Sequence, residues 1–152
     1  DAGRTRIACI GGPQNITSAM DRLAGWQNTM DAADLPADLL EFADWSVDDG
    51  AAAATRLLAR GIRFDGLFAA SAQIASGAAE ALRNAGLAVP ADVAITTIDN
   101  DHYAVSGGLT TVEQPTVELG DYISRSLVSL IAGEPVPRLT ILPTHLVERA
   151  SV

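Results

Sequence analysis

The chain contains no lysine. Its ten basic residues are all arginine, scattered along the sequence, against 19 Asp and Glu, for a net charge of −9. Binding a nucleic acid by neutralising its phosphates needs clustered Lys and Arg, so this stretch is not expected to touch DNA or RNA. Cysteine is nearly absent too. Cys9 alone cannot close an internal disulfide, and its place in an apolar run makes it a core filler, in keeping with a cytoplasmic origin. No run approaches the roughly 20 apolar residues of a membrane-spanning helix, so no membrane is implicated. The start, Asp1-Ala2-Gly3-Arg4-Thr5-Arg6, has neither an initiator Met nor the apolar core of a signal peptide, and it is read as a cut inside a longer chain.

The ingredients of a catalytic or metal centre are also missing. Asp99-Asn100-Asp101 superficially resembles a calcium loop, but no downstream Glu or His completes calcium or zinc spacing. His102 and His145 stand apart from each other and from Cys9. There is no nucleophile elbow. Gly11-Gly12-Pro13 fits neither glycine-rich phosphate fingerprint, and without lysine a plain tight turn is the better reading. The sequence therefore predicts no catalytic residue, no metal and no cofactor.

What is present is a strong alternation. Ile7 to Ile10 ends at Gly11-Gly12, Gly66 to Ala70 ends at Ser71, and Val93 to Ile98 ends at Asp99, with Ala-rich helical stretches between them. Strand alternating with helix predicts an α/β fold with a doubly wound parallel sheet. Such sheets bind ligands outside the carboxyl ends of their strands. With 152 residues, 48% of them hydrophobic, one domain can bury about two-thirds of its unfolded surface.

Local signals divide the chain further. A first helix is expected to open near Ser18, with Asp21 at capping-box spacing. Leu39 to Phe42 reads as a second strand. Ser46 with Asp49 caps a helix over Val47 to Arg60 that stops at Gly61. A helix over Gln73 to Ala85 closes on Gly86, and the stretch around Gly107-Gly108 reads as irregular. Leu109 to Val112 forms a short strand, followed by a long helix from Pro115 to Ala132 with Val117, Ile123, Leu127 and Ile131 on one apolar stripe.

Three residues admit two readings each. Arg22 is either a solvated arginine or, with Leu23 and Trp26 turning this part of the helix toward the core, the border of a cleft. Trp45 either plugs the top of the core or offers its ring to a sugar or base. Asp99 either caps the following turn or accepts charge-assisted hydrogen bonds from a ligand. The sequence leaves each pair open.

Several segments resemble one family. They include Arg22-Leu23-Ala24-Gly25-Trp26, Gly66-Leu67-Phe68-Ala69-Ala70-Ser71, Ala78 to Leu87 and Val89-Pro90-Ala91-Asp92-Val93-Ala94. Leu109-Thr110-Thr111-Val112-Glu113-Gln114-Pro115 before a long helix is the most specific, and Leu142 to Arg149 completes the set. In order and spacing these are similar to the lactose- and galactose-repressor (LacI/GalR) family of transcriptional regulators. The resemblance implies a periplasmic-binding-protein type I-like lobe. It assigns residues 1–108 to the second lobe of an effector-binding domain, 109–136 to a crossover strand and helix of the first lobe, and 137–152 to a return. The DNA-binding helix-turn-helix and most of lobe one would be absent.

By the same resemblance Arg22, Trp45, Ser71 and Asp99 match ligand positions, with Ser18 at the helix start beside them. The implied roles are a hydrogen-bonding fork (Arg22), ring stacking (Trp45) and hydroxyl recognition (Ser71, Asp99). The implied partners are a small-molecule effector, a carbohydrate, a second copy of the chain in a homodimer, and DNA through the missing N-terminal domain only. Two departures stand out: Ala72 replaces a commonly acidic residue, and Thr97-Ile98-Asp99-Asn100 stands where the family often has Gly-Phe-Asp-Asp. An exported solute-binding protein of the same fold is the alternative. A nucleotide-dependent enzyme is disfavoured by the missing fingerprints.

Overall fold

A computed structural model of the chain describes residues 3–152. Asp1 and Ala2, part of the stretch read as a cut, lie outside the described residues. The elements alternate: β1 (Ile7–Gly11), α1 (Thr17–Ala32), β2 (Leu40–Phe42), α2 (Val47–Ala59), β3 (Gly66–Ala69), α3 (Ala72–Asn84), β4 (Ala94–Ile98), α4 (His102–Ser106), β5 (Thr110–Glu113), α5 (Thr116–Ile131) and β6 (His145–Val147). The six strands form one sheet in the order β2-β1-β3-β4-β5-β6. The first five are parallel, in registers such as Cys9 beside Leu40 and Phe68, and Thr97 beside Thr111. Only β6 runs antiparallel, against β5.

The period-two geometry of β1 sends alternate side chains to opposite faces. Ala8 and Ile10 enter the larger core under α2 and α3, with Leu57, Leu67, Ile74, Leu82 and Ile95. Cys9 enters the smaller one under α1, with Leu23, Trp26 and Met30. Burial pushes the Cys9 thiol up to about 12, leaving it protonated and inert at neutral pH. Helices α2 and α3 approach closely because glycines face the contact. A Cβ on Gly77 would lie 2.7 Å from the Ala51 amide nitrogen and nearer still to the Val47 carbonyl oxygen.

Several sequence expectations need correction. Helix α1 begins at Thr17 with Ile16 as its N-cap and no side-chain cap, so Ser18 lies inside the first turn and the Ser18–Asp21 capping box does not form. The stretch after Asp101 is not wholly irregular: Asp101 caps the short α4, accepting from the amides of Tyr103 at 2.9 Å and Ala104 at 3.2 Å. The strand expected to belong to another lobe is part of this sheet, since β5 pairs with β4 through Thr96–Thr110, Thr97–Thr111 and Ile98–Val112. Helix α5 does stand off, with no buried residue and with Val117, Ile123, Leu127 and Ile131 exposed. By contrast the Ser46 cap forms as expected, its hydroxyl accepting from the Asp49 amide at 3.1 Å.

A candidate ligand pocket at the carboxyl edge of the sheet

Parallel strands bring all their carboxyl ends to one edge, and four loops or helix starts meet there. Ser18 and Arg22, four residues apart, share one face of α1. Trp45 follows β2, Ser71 is the N-cap of α3, and Asp99 follows β4. These five side chains line one hollow of about 340 Å³, together with Ile16, Gln73 and Asp101. Residues up to 81 positions apart in sequence thus share one rim.

Arg22 sits at the centre of this arrangement. Its Nη1 donates to the Ala70 carbonyl oxygen at 2.6 Å and lies 3.6 Å from Asp99 Oδ2. Its guanidinium carbon stands 5.7 Å from the Trp45 ring centroid, within cation–π range. The fork carries five N–H donors, and among the described residues only the one bond to Ala70 engages it. Both partners of the 3.6 Å ion pair are part-exposed, so solvent screens it. It orients the two groups more than it stabilises the fold.

Trp45 is 36% exposed. The six-membered ring of its indole lies over Gly12, where a Cβ would come within 2.8 Å of Cζ2 and 2.7 Å of Cζ3. The glycine after β1 therefore makes room for the ring. Ser71 is only 7% exposed, and its hydroxyl accepts from the Ile74 amide at 3.3 Å. Capping uses one lone pair and leaves its O–H and a second lone pair for another partner.

Asp99 has φ +79°, a left-handed conformation that costs a non-glycine residue about 1–2 kcal/mol. The fold holds it there from both sides: its amide donates to the Val112 carbonyl at 3.0 Å, and its carbonyl accepts from Thr111 Oγ1 at 3.0 Å. Its carboxylate also accepts a hydrogen bond from Gln114 Nε2. The first turn of α1 has no side-chain cap, and the Ala19 amide is taken by the Ile16 carbonyl at 3.1 Å, so the amides of Thr17 and Ser18 are the ones left for a ligand oxygen.

Four members of this site were not selected from the sequence. Ile16, Gln73 and Asp101 line the hollow, and Gln114 grips Asp99. The usable signals were the position of Gln73 in the first turn of α3 and the place of Gln114 in the Leu-Thr-Thr-x-x-Gln-Pro stretch. Asp101 reads in the sequence as part of a metal-like run, and it acts as the cap of α4. Among the described residues no group of three or more His, Cys, Asp or Glu is placed to hold a metal ion, and no helix is long and apolar enough to cross a membrane.

A doubly wound sheet with a polar, tryptophan-rimmed hollow at its carboxyl edge defines a lobe of the periplasmic-binding-protein type. The family model described as a periplasmic binding protein-like domain matches residues 1–152. The HTH-type transcriptional regulator CelR of Thermobifida fusca is 37% identical over 156 residues, covering 99% of this chain and 46% of that protein. The ribose operon repressor of Escherichia coli (strain K12) is 35% identical, covering 99% and 47%. Among solved structures, a CelR–cellobiose complex superposes with a TM-score of 0.91 at 37% identity, over 99% of this chain and 47% of that one. The Lac repressor bound to ONPG superposes at 0.93 with 30% identity, over 99% and 46%. The chain belongs to the periplasmic binding protein-like domain family, in the form carried by LacI-family transcriptional regulators. It spans less than half the length of these relatives.

Proposed function

We propose that this chain is the second effector-sensing lobe of a LacI-type transcriptional regulator. In this reading a small polyhydroxylated ligand, a sugar, binds in the hollow lined by Ser18, Arg22, Trp45, Ser71 and Asp99. A first lobe closes over it, and residues 116–131 form a helix belonging to that lobe. The observation that carries the reading is the convergence of those five residues, from four separate places in the chain, on one rim. Their chemistry suits a sugar: a donor fork, a carboxylate and a hydroxyl for vicinal OH groups, and an indole face for the apolar side of the ring. The site performs recognition rather than catalysis and uses no cofactor.

The regulator acts as a cytoplasmic homodimer, touching DNA through a helix-turn-helix outside this chain. Ligand binding biases DNA affinity only by as much as the ligand distinguishes the two interlobe angles. The relatives named above are regulators, which favours this reading over an exported binding protein. Lobe two alone should bind weakly. If the other lobe supplies two or three hydrogen bonds at about 0.5–1.5 kcal/mol each, their loss costs about 1–4 kcal/mol, or roughly fivefold to a thousandfold in affinity. Calorimetry of the 152-residue chain and of the full-length protein with the same sugar tests this. Equal affinities would refute the two-lobe cleft. Full-length binding that survives Arg22→Ala and Asp99→Ala together would refute the site.

A further inference from the structure

A second hollow, of about 440 Å³, adjoins the first along the same edge of the sheet. The two have no lining residue in common, but their linings run on from one another at two places in the chain. Asn15 lines the outer hollow and Ile16 the inner; Asp44 lines the outer and Trp45 the inner. Consecutive Cα atoms are only 3.8 Å apart, so the hollows lie side by side, divided by the Trp45 loop and the start of α1. Each sits at the small end of the range for ligand pockets, and together they suit a longer molecule.

The lining of the outer hollow defines what it takes. Gln14, Asn15 and Asp44 are exposed and offer two amides and a carboxylate, beside the ring of Phe42. Planar amides and carboxylates beside an aromatic ring suit a hydroxylated ring with one apolar face. The hollow is also acidic. Asp44 and Asp49 line it with Arg56, whose guanidinium is already engaged by Glu41 Oε2 at 2.8 Å and the Phe42 carbonyl at 2.7 Å. A phosphorylated sugar or a nucleotide would meet repulsion there, whereas a neutral ring would not.

We infer that the ligand is an uncharged disaccharide, one ring in the Arg22–Asp99 hollow and the other in the hollow bounded by Gln14, Asn15, Phe42 and Asp44, with Trp45 between them. This rests on the sugar-sensing reading proposed above and adds ligand length and charge to it.

The test is calorimetry of the full-length protein with glucose and cellobiose, galactose and lactose, and xylose and xylobiose. One disaccharide should bind at least about tenfold more tightly than its own monosaccharide. The double substitution of Gln14→Ala with Asp44→Ala should remove most of that difference and leave the monosaccharide affinity unchanged. A monosaccharide and disaccharide that bind equally, or a disaccharide preference untouched by the double substitution, would overturn the second ring while leaving the sugar pocket standing. Binding of no sugar in the panel would overturn both. A 6-phosphorylated monosaccharide that outcompetes every neutral sugar would overturn the inference on charge alone.

Discussion

Gly12→Ala separates the fit of Trp45 from the stability of the fold. Gly12 does not adopt a positive φ, so alanine meets no backbone penalty there. The obstacle is the indole: the new methyl would lie 2.7 Å from Cζ3 and 2.8 Å from Cζ2 of Trp45, and closer still to Cη2. Carbon atoms prefer a separation of about 3.5–4.0 Å, so the ring must retreat by roughly an ångström. Trp45 is 36% exposed on a loop and can swing toward solvent, so the stability loss should fall below the roughly 1–3 kcal/mol of an overpacked interior. The proposed sugar site loses more. An aromatic contact worth about 0.5–1.5 kcal/mol and an Arg22 cation–π contact worth about 0.5–1 kcal/mol both depend on the ring's position. Together they predict sugar binding about five- to seventyfold weaker, with an almost unchanged melting temperature. Calorimetry on Gly12→Ala, Trp45→Ala and the double variant measures this, and the two losses should overlap rather than add. Wild-type affinity in Gly12→Ala, or fully additive losses, would show that Gly12 does not act through the ring.

Three further outcomes follow from the packing. Gly77→Ala should destabilise the chain by at least about 2 kcal/mol in chemical denaturation, because its Cβ would meet backbone atoms of α2 that no rotamer change can move; an unchanged midpoint would contradict the α2–α3 geometry. Ser151→Ala should cost about 1–3 kcal/mol, since the buried hydroxyl accepts from the Thr110 amide at 2.8 Å and donates to the Ile95 carbonyl at 2.6 Å, joining β4 to β5. At Glu41 burial raises the carboxyl pKa, but hydrogen bonds and charge from Arg56 and Arg60 outweigh it and hold the value below the usual glutamate range. A depressed value means a stabilisation present above the unfolded glutamate pKa and lost as pH falls through the folded one. Acid titration of stability should therefore be shallower in Glu41→Gln than in the wild type, and identical acid limbs would refute the pairing.

The alternation of strands and helices was legible because each signal is local. Apolar runs end at Gly11, Ser71 and Asp99, and Gly61 and Gly86 adopt the positive φ of +69° and +80° that their places after helices predict. Where a capping box competed with the chain's path the sequence misled, and α1 starts at Thr17 with no side-chain cap despite Ser18 and Asp21. The same limit hid α4, a helix of one turn and a half whose signal is the single cap Asp101. The neighbour of strand β5 is not written in the strand's own residues; only its hydrogen bonds to β4 decide it.

The sequence by itself determined the fold class, the order of the elements and the kinds of side chain at the strand ends, since periodicity and turn chemistry act over a few residues. Only the tertiary structure decided that Arg22 faces Asp99 at 3.6 Å, that Gly12 makes room for the Trp45 ring, and that a second hollow lies beyond it. Those facts depend on sheet order and register, which bring distant residues together through contacts that no local pattern encodes.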